Sequence, residues 1–119
     1  MVHIYLSGPM SGHPDFNRPA FHNAAYLLRA IGYAVTSPAE QEIGGASWSD
    51  YMRHDLALMM KADCVVTLEG WRQSRGASLE VYVAEQIGIP VYDLAHLLNA
   101  EGHSSSRLDS GVRQLSLNL

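Results

Sequence analysis

The run "CVVTL" at residues 64–68 is apolar at nearly every position and does not alternate. A strand with one wet face alternates. A strand covered on both faces does not, and such strands belong to parallel sheets flanked by helices. Three other short runs complete the pattern: "HIYLSG" at 3–8, "YAVTS" at 33–37 and "IPVYD" at 89–93. The first leads into Gly8-Pro9, and the second is stopped by Pro38. Helical spacings lie between them. Phe21, Ala24, Ala25, Leu28 and Ile31 recur at the period of a helix, as do Met52, Leu56 and Met59.

The helix boundaries are marked as well. Asn17 or Arg18 caps the first helix, with Pro19 in its first turn and Gly32 at its end. Ser47 caps the second, with Asp50 at the capping-box position. The third runs from about Arg75 to Ile87, where Gly88 closes it, and "LAHLLNA" forms a short last helix. Strands alternating with helices specify an α/β three-layer sandwich. We expect a four- to five-stranded parallel sheet, flavodoxin- or Rossmann-like, with helices on both faces. The 119 residues suffice for one core, expected over 1–98. The polar stretch 99–119 reads as a C-terminal tail, either disordered or packed on a partner subunit. Its Leu115, Leu117 and Leu119 alternate with polar residues.

Charge and composition exclude several functions. The net charge of −4, with no long basic run, argues against a nucleic-acid polymer as partner. The single cysteine, Cys64, allows no internal disulfide and lies in the buried run. The start "MVHIYLSGPM" lacks the basic opening of a signal peptide, and no apolar segment reaches membrane-spanning length. These features suggest a cytoplasmic protein, or one made by a phage inside its host. No Gly-Lys-Ser/Thr or G-x-G-x-x-G motif occurs, so no cofactor is expected. The six histidines are scattered, so no metal is expected either. A G-x-S-x-G elbow is absent.

Open α/β sheets bind ligands beyond the carboxyl ends of their strands, where strand order reverses. The loops after the first and third strands, "SGPMSGHPDFN" and "EGWRQSRGAS", are therefore the first candidates. Glu80 follows the second of them. Ala77, Glu80, Ala84 and Ile87 share one helix face, which should meet the sheet. Near the helix start, the dipole favours an ionised carboxylate, and a shielded carboxylate is a usable nucleophile or base. The plain alternative is a solvated glutamate like Glu85. Asp55 borders the apolar face of the second helix beside Tyr51, Met52, Leu58 and Met59. It either holds a sugar hydroxyl, orients another group, or is a surface charge beside Arg53 and His54. Gly8 and Gly12 allow close backbone approach to an anion, and Arg18 adds a positive charge. Ser74 and Gly76 can hold a phosphate at the third helix start, although an N-cap is the commoner use of such a serine. Trp71 and Trp48 are candidate plates for a base, or buried anchors.

Taken together these pieces resemble the nucleoside 2-deoxyribosyltransferase-like superfamily, which includes the 2'-deoxynucleoside 5'-phosphate N-hydrolases. The matching segments are "IYLSGPMSG", "YMRHD" before "ADCVVTL", and "SRGASLE" ahead of "AEQIGIPV". The chain most resembles a branch of short, often phage-encoded members. The resemblance implies that Glu80 attacks C1' of the sugar, that Tyr5 orients it, and that Asp55 contacts the sugar or assists the leaving base. It implies a phosphate zone at Gly8, Met10, Ser11, Gly12, Ser74 and Gly76. Arg72 and Arg75 tilt the reading towards a nucleotide. The expected activity is hydrolysis of the base–sugar bond of a (2'-deoxy)nucleoside 5'-monophosphate through the Glu80 nucleophile. The alternatives are base exchange by a transferase and a non-catalytic nucleotide-binding protein. A homodimer or larger homo-oligomer is implied.

Overall fold

A computed structural model describes residues 1–41, 43–45 and 47–103. Within it the chain runs β1 (His3–Ser7), α1 (Arg18–Ala30), β2 (Ala34–Thr36), α2 (Trp48–Met59), β3 (Cys64–Thr67), α3 (Arg75–Gln86), β4 (Val91–Asp93) and α4 (Leu94–His103). The four strands form one parallel sheet in the order β2-β1-β3-β4. Four of the expected four to five strands are therefore present among the described residues. The expectations placed on the tail at 104–119 lie outside these residues. The last helix extends beyond the boundary expected at residue 98.

Side-chain alternation assigns each strand residue to one of two layers. Ile4, Leu6, Cys64, Val66 and Leu68 pack with Phe21, Ala24, Ala25 and Leu28 of α1 and Leu97 of α4. Tyr5 and Val65 point the other way, onto Met59 of α2 and Ala84 of α3. Helices thus cover both faces, and β1 and β3 are buried throughout except at His3. That is the physical reason "CVVTL" carries no alternation. Cys64 is fully buried, and burial pushes its thiol up to about 12, so it is an inert core group.

Local chemistry explains the boundaries. Ser47 and Asp50 form a reciprocal capping box, each side chain meeting the other's backbone N–H at 3.2 Å. Ser74 caps α3 by accepting from Ala77 N at 3.1 Å. Gly88, at φ +79°, ends the turn after α3. Two helix positions depart from the spacing. Ile31 and Ile87, expected on buried faces, are 38% and 53% exposed. Both are the C-caps of their helices, where the backbone has already left the helical path. Asn17 precedes α1, but its side chain caps nothing: Nδ2 donates instead to Pro9 O at 2.9 Å.

Candidate active site

Strand order reverses between β1 and β3. From β1 the chain crosses to β2 on one side and returns to β3 on the other. The carboxyl ends of β1 and β3, at Ser7 and Thr67, lie side by side there. A cavity of about 360 Å³ opens beyond the sheet, lined by residues from the first loop, the segment after β2, α2 and the start of α3. Its walls include Met10, Phe16, Ile43, Trp48, Tyr51 and Met52, and its polar groups include Ser11, Arg18, Gln41, Asp55, Ser74 and Glu80. A larger, open depression of about 500 Å³ lies beside α1, lined by His22, Tyr26, Arg29, Ala30 and Glu40. There Arg29 and Glu40 simply pair at 2.8 Å, both well exposed, so that surface offers little chemistry.

Among the described residues Glu80 is the one buried carboxylate, 4% exposed. The Tyr5 hydroxyl donates to its Oε2 at 2.5 Å, and the Ser7 hydroxyl donates to its Oε1 at 2.7 Å. Both donors come from the β1 face that meets α3. Burial raises the Glu80 carboxyl to about 7, the two hydroxyl donors oppose the rise, and nearby Asp55 adds to it. Glu80 stands in the second turn of α3, past the reach of the helix end. Its ionisation is therefore set by burial and two hydroxyls, not by the dipole expected from the sequence. Tyr5 is pushed well above its ordinary value, first by burial and then by Glu80 and Asp55. It stays a neutral donor at any working pH.

Asp55 projects from α2 with its side chain only 13% exposed. Burial raises its carboxyl, while the hydrogen bond from His54, at 3.5 Å, pulls it back down. Two carboxylates in one apolar cavity, both raised, form an arrangement suited to splitting the roles of nucleophile and proton donor.

The other expected residues divide. Gly8, Met10, Ser11, Arg18, Ser74 and Gly76 line the cavity with Glu80 and Asp55. Gly12 and Trp71 do not. Trp71 begins a short turn after β3 and stacks with Arg72, whose guanidinium lies 4.6 Å from the ring centre. Trp48 lines the cavity instead, and Arg75 lies 3.6 Å over its ring. Gly8 also differs in its reason. A Cβ there would meet Leu68 Cβ at 2.8 Å, so Gly8 is required by the packing of β1 against the end of β3. Gly12, at φ +82° with open space around it, is required by its conformation. Arg18 pairs with Asp15 at 2.9 Å and lies 5.3 Å from the Phe16 ring centre.

Ser7 and Gln41 escaped the sequence reading. Strand alternation could have found Ser7, because residues two apart share a face and Tyr5 was already a candidate. Gln41 follows a short turn after β2, where no periodicity marks it. No group of three His, Cys, Asp or Glu able to hold a metal ion occurs among the described residues. Among these residues no helix is long and apolar enough to cross a membrane.

Residues 2–93 match the family described as a domain of unknown function, DUF4406. The chain belongs to that family. Among curated proteins nothing matches it. Two solved structures share the fold of this DUF4406 member. One is the 2-deoxyribosyltransferase of Bacillus psychrosaccharolyticus, a biocatalyst for nucleoside synthesis. It is 23% identical, with 77% of this chain and 71% of that chain covered and a TM-score of 0.62. The other is the 2-deoxyribosyltransferase of Leishmania mexicana, 17% identical, with 78% and 63% covered and a TM-score of 0.61. The resemblance read in the sequence therefore holds at the level of the fold.

Proposed function

We propose that this protein is an N-glycosidase that hydrolyses the base–sugar bond of a (2'-deoxy)nucleoside 5'-monophosphate, with Glu80 as nucleophile. One observation carries the reading: a buried carboxylate, Glu80, held by two hydroxyls at a cavity beyond the strand-order reversal. The two deoxyribosyltransferases of like fold support it, since glycosyl transfer and hydrolysis share their first step.

In that step an oxygen of ionised Glu80 attacks C1'. The C1'–N bond breaks, and its electron pair leaves with the base, which takes a proton from Asp55. A glycosyl ester of Glu80 remains. Water then attacks C1', the ester C–O bond breaks, Glu80 recovers its electron pair, and Asp55 takes back a proton. Positive charge on the sugar ring is stabilised by the carboxylate beneath it. Ser11, Ser74 and Arg18 line the same cavity and are the groups that would meet a 5'-phosphate. The largely apolar and aromatic wall suits a base.

The reading includes action in the cytoplasm, on small molecules, by a homo-oligomer. Its test is incubation with a panel of nucleoside monophosphates, followed by chromatography for free base. Release that disappears in Glu80→Ala is expected. A second free base appearing in a new nucleoside would identify a transferase instead. Tight binding of a nucleotide without any release would identify a binding protein.

A further inference from the structure

Ser7 lies two residues after Tyr5 on β1 and is fully buried. Its hydroxyl takes Oε1 of Glu80 at 2.7 Å, while Tyr5 takes Oε2 at 2.5 Å. Each carboxylate oxygen thus carries one donor and keeps further lone-pair capacity for a sugar carbon. The last torsion of a glutamate is broad by nature, and one donor alone leaves it free to rotate. Two donors at fixed strand positions remove that freedom. Ser7 itself does not line the cavity, so it acts only through Glu80.

We propose that Ser7 is a positioning residue for the nucleophile: its hydroxyl, opposite that of Tyr5, locks the Glu80 carboxylate in one orientation and sustains its charge in a buried site. The proposal rests on the glycosidase reading for the word nucleophile. The titratable groups facing Glu80 are Tyr5 from β1 and Asp55 from α2, and Asp55 in turn meets His54. With those unchanged, loss of the Ser7 donor leaves burial less opposed.

The experiment compares wild type, Ser7→Ala and Ser7→Cys, all labelled with carbon-13 at glutamate carboxyls. The Glu80 signal is identified by its loss in Glu80→Gln, and its titration is followed by NMR. Base release is measured across the same pH series. Ser7→Ala should raise the Glu80 midpoint by about one pH unit, matching the loss of one hydrogen bond to a charged group. kcat should fall about tenfold on the acid side, less on the alkaline side, with KM little changed. Ser7→Cys keeps the volume with a weaker donor and should fall between, which covers the case of a poorly folded Ser7→Ala. An unmoved midpoint in either folded variant, or an equal loss at every pH, overturns the proposal. The titration needs no turnover, so an unmoved midpoint beside normal wild-type release leaves the glycosidase reading standing. Absent release from wild type removes that reading, whatever the midpoints do.

Discussion

The Tyr5 hydroxyl donates to Glu80 Oε2 at 2.5 Å, joining the first strand to the third helix inside the core. Tyr5 is fully buried and Glu80 nearly so. A charged acceptor and a phenol that does not ionise make a one-way bond, which favours the carboxylate over the acid. Tyr5→Phe removes the donor and little volume. A hydrogen bond to a charged group contributes about 1.5–3 kcal/mol, so base release below neutral pH should slow by roughly 10- to 100-fold. The acid limb of the pH–rate profile should also move to higher pH. A profile that keeps its position in Tyr5→Phe would contradict this arrangement.

The pH dependence of the wild type follows from Glu80. Its carboxyl is raised to about 7, so the attacking form accumulates only as pH climbs through neutrality. Base release should rise across that interval instead of being flat from mildly acid pH. Asp55 donates only while protonated, so release should fall again once Asp55 ionises, giving a bell-shaped profile. Asn cannot ionise, so Asp55→Asn should lose the alkaline limb that Asp55 sets. The same change removes the proton donor, so the maximal rate should fall about 100- to 10,000-fold. Steady-state profiles of the two proteins test both statements, and an alkaline limb retained in Asp55→Asn would refute the donor role.

Stability should show the opposite face of this burial. The Glu80 carboxyl is raised above its ordinary value of 4.5 in the folded protein. A raised group contributes stability that is fully present below the unfolded pKa and lost as pH rises through the folded one. Wild type should therefore weaken between pH 4.5 and about 7, by an amount on the order of 3 kcal/mol. Glu80→Gln carries no charge and should lack this loss. Denaturant unfolding at alkaline pH should find the inactive variant more stable than wild type, a trade of stability for activity. Equal stabilities at acid and alkaline pH in wild type would refute the claim.

The sequence exposed the framework better than the cavity walls. "CVVTL" and the helix spacings are period signals, and period survives folding, because both layers of the core depend on it. The candidate carboxylates were legible because each is a charge at an apolar position of a helix. The resemblance, not spacing, singled out Tyr5. Distances across the sheet left no such mark. Which tryptophan faces the cavity depends on how the turn at Trp71–Gln73 directs its side chains, and that is a tertiary matter. The backbone of Asp15, Phe16 and Asn17, all at positive φ, was equally hidden. Non-glycine residues seldom adopt that region, and nothing in "DFN" announces three of them in a row. Ile31 and Ile87 failed for a simpler reason: helical phase was extended one residue past the last turn.

Gly8 separates two accounts of a glycine at a ligand site. One holds that the missing side chain lets substrate approach the backbone. The structure supports the other, because the space a Cβ would need is already filled by Leu68, at 2.8 Å from its Cβ. Leu68 is 3% exposed and belongs to the α1 core layer, so it has little room to retreat. Gly8→Ala should therefore cost about 1–3 kcal/mol of stability through overpacking, with or without ligand. Gly12→Ala is the control. Its Cβ meets nothing, so its cost should come from the positive φ alone, at about 1–2 kcal/mol. Because Gly12 lies outside the cavity lining, KM for the nucleotide should stay near the wild-type value in that variant. Denaturation midpoints and steady-state kinetics on both proteins decide the matter. A Gly8→Ala protein of wild-type stability that has lost only substrate affinity would restore the ligand-approach account.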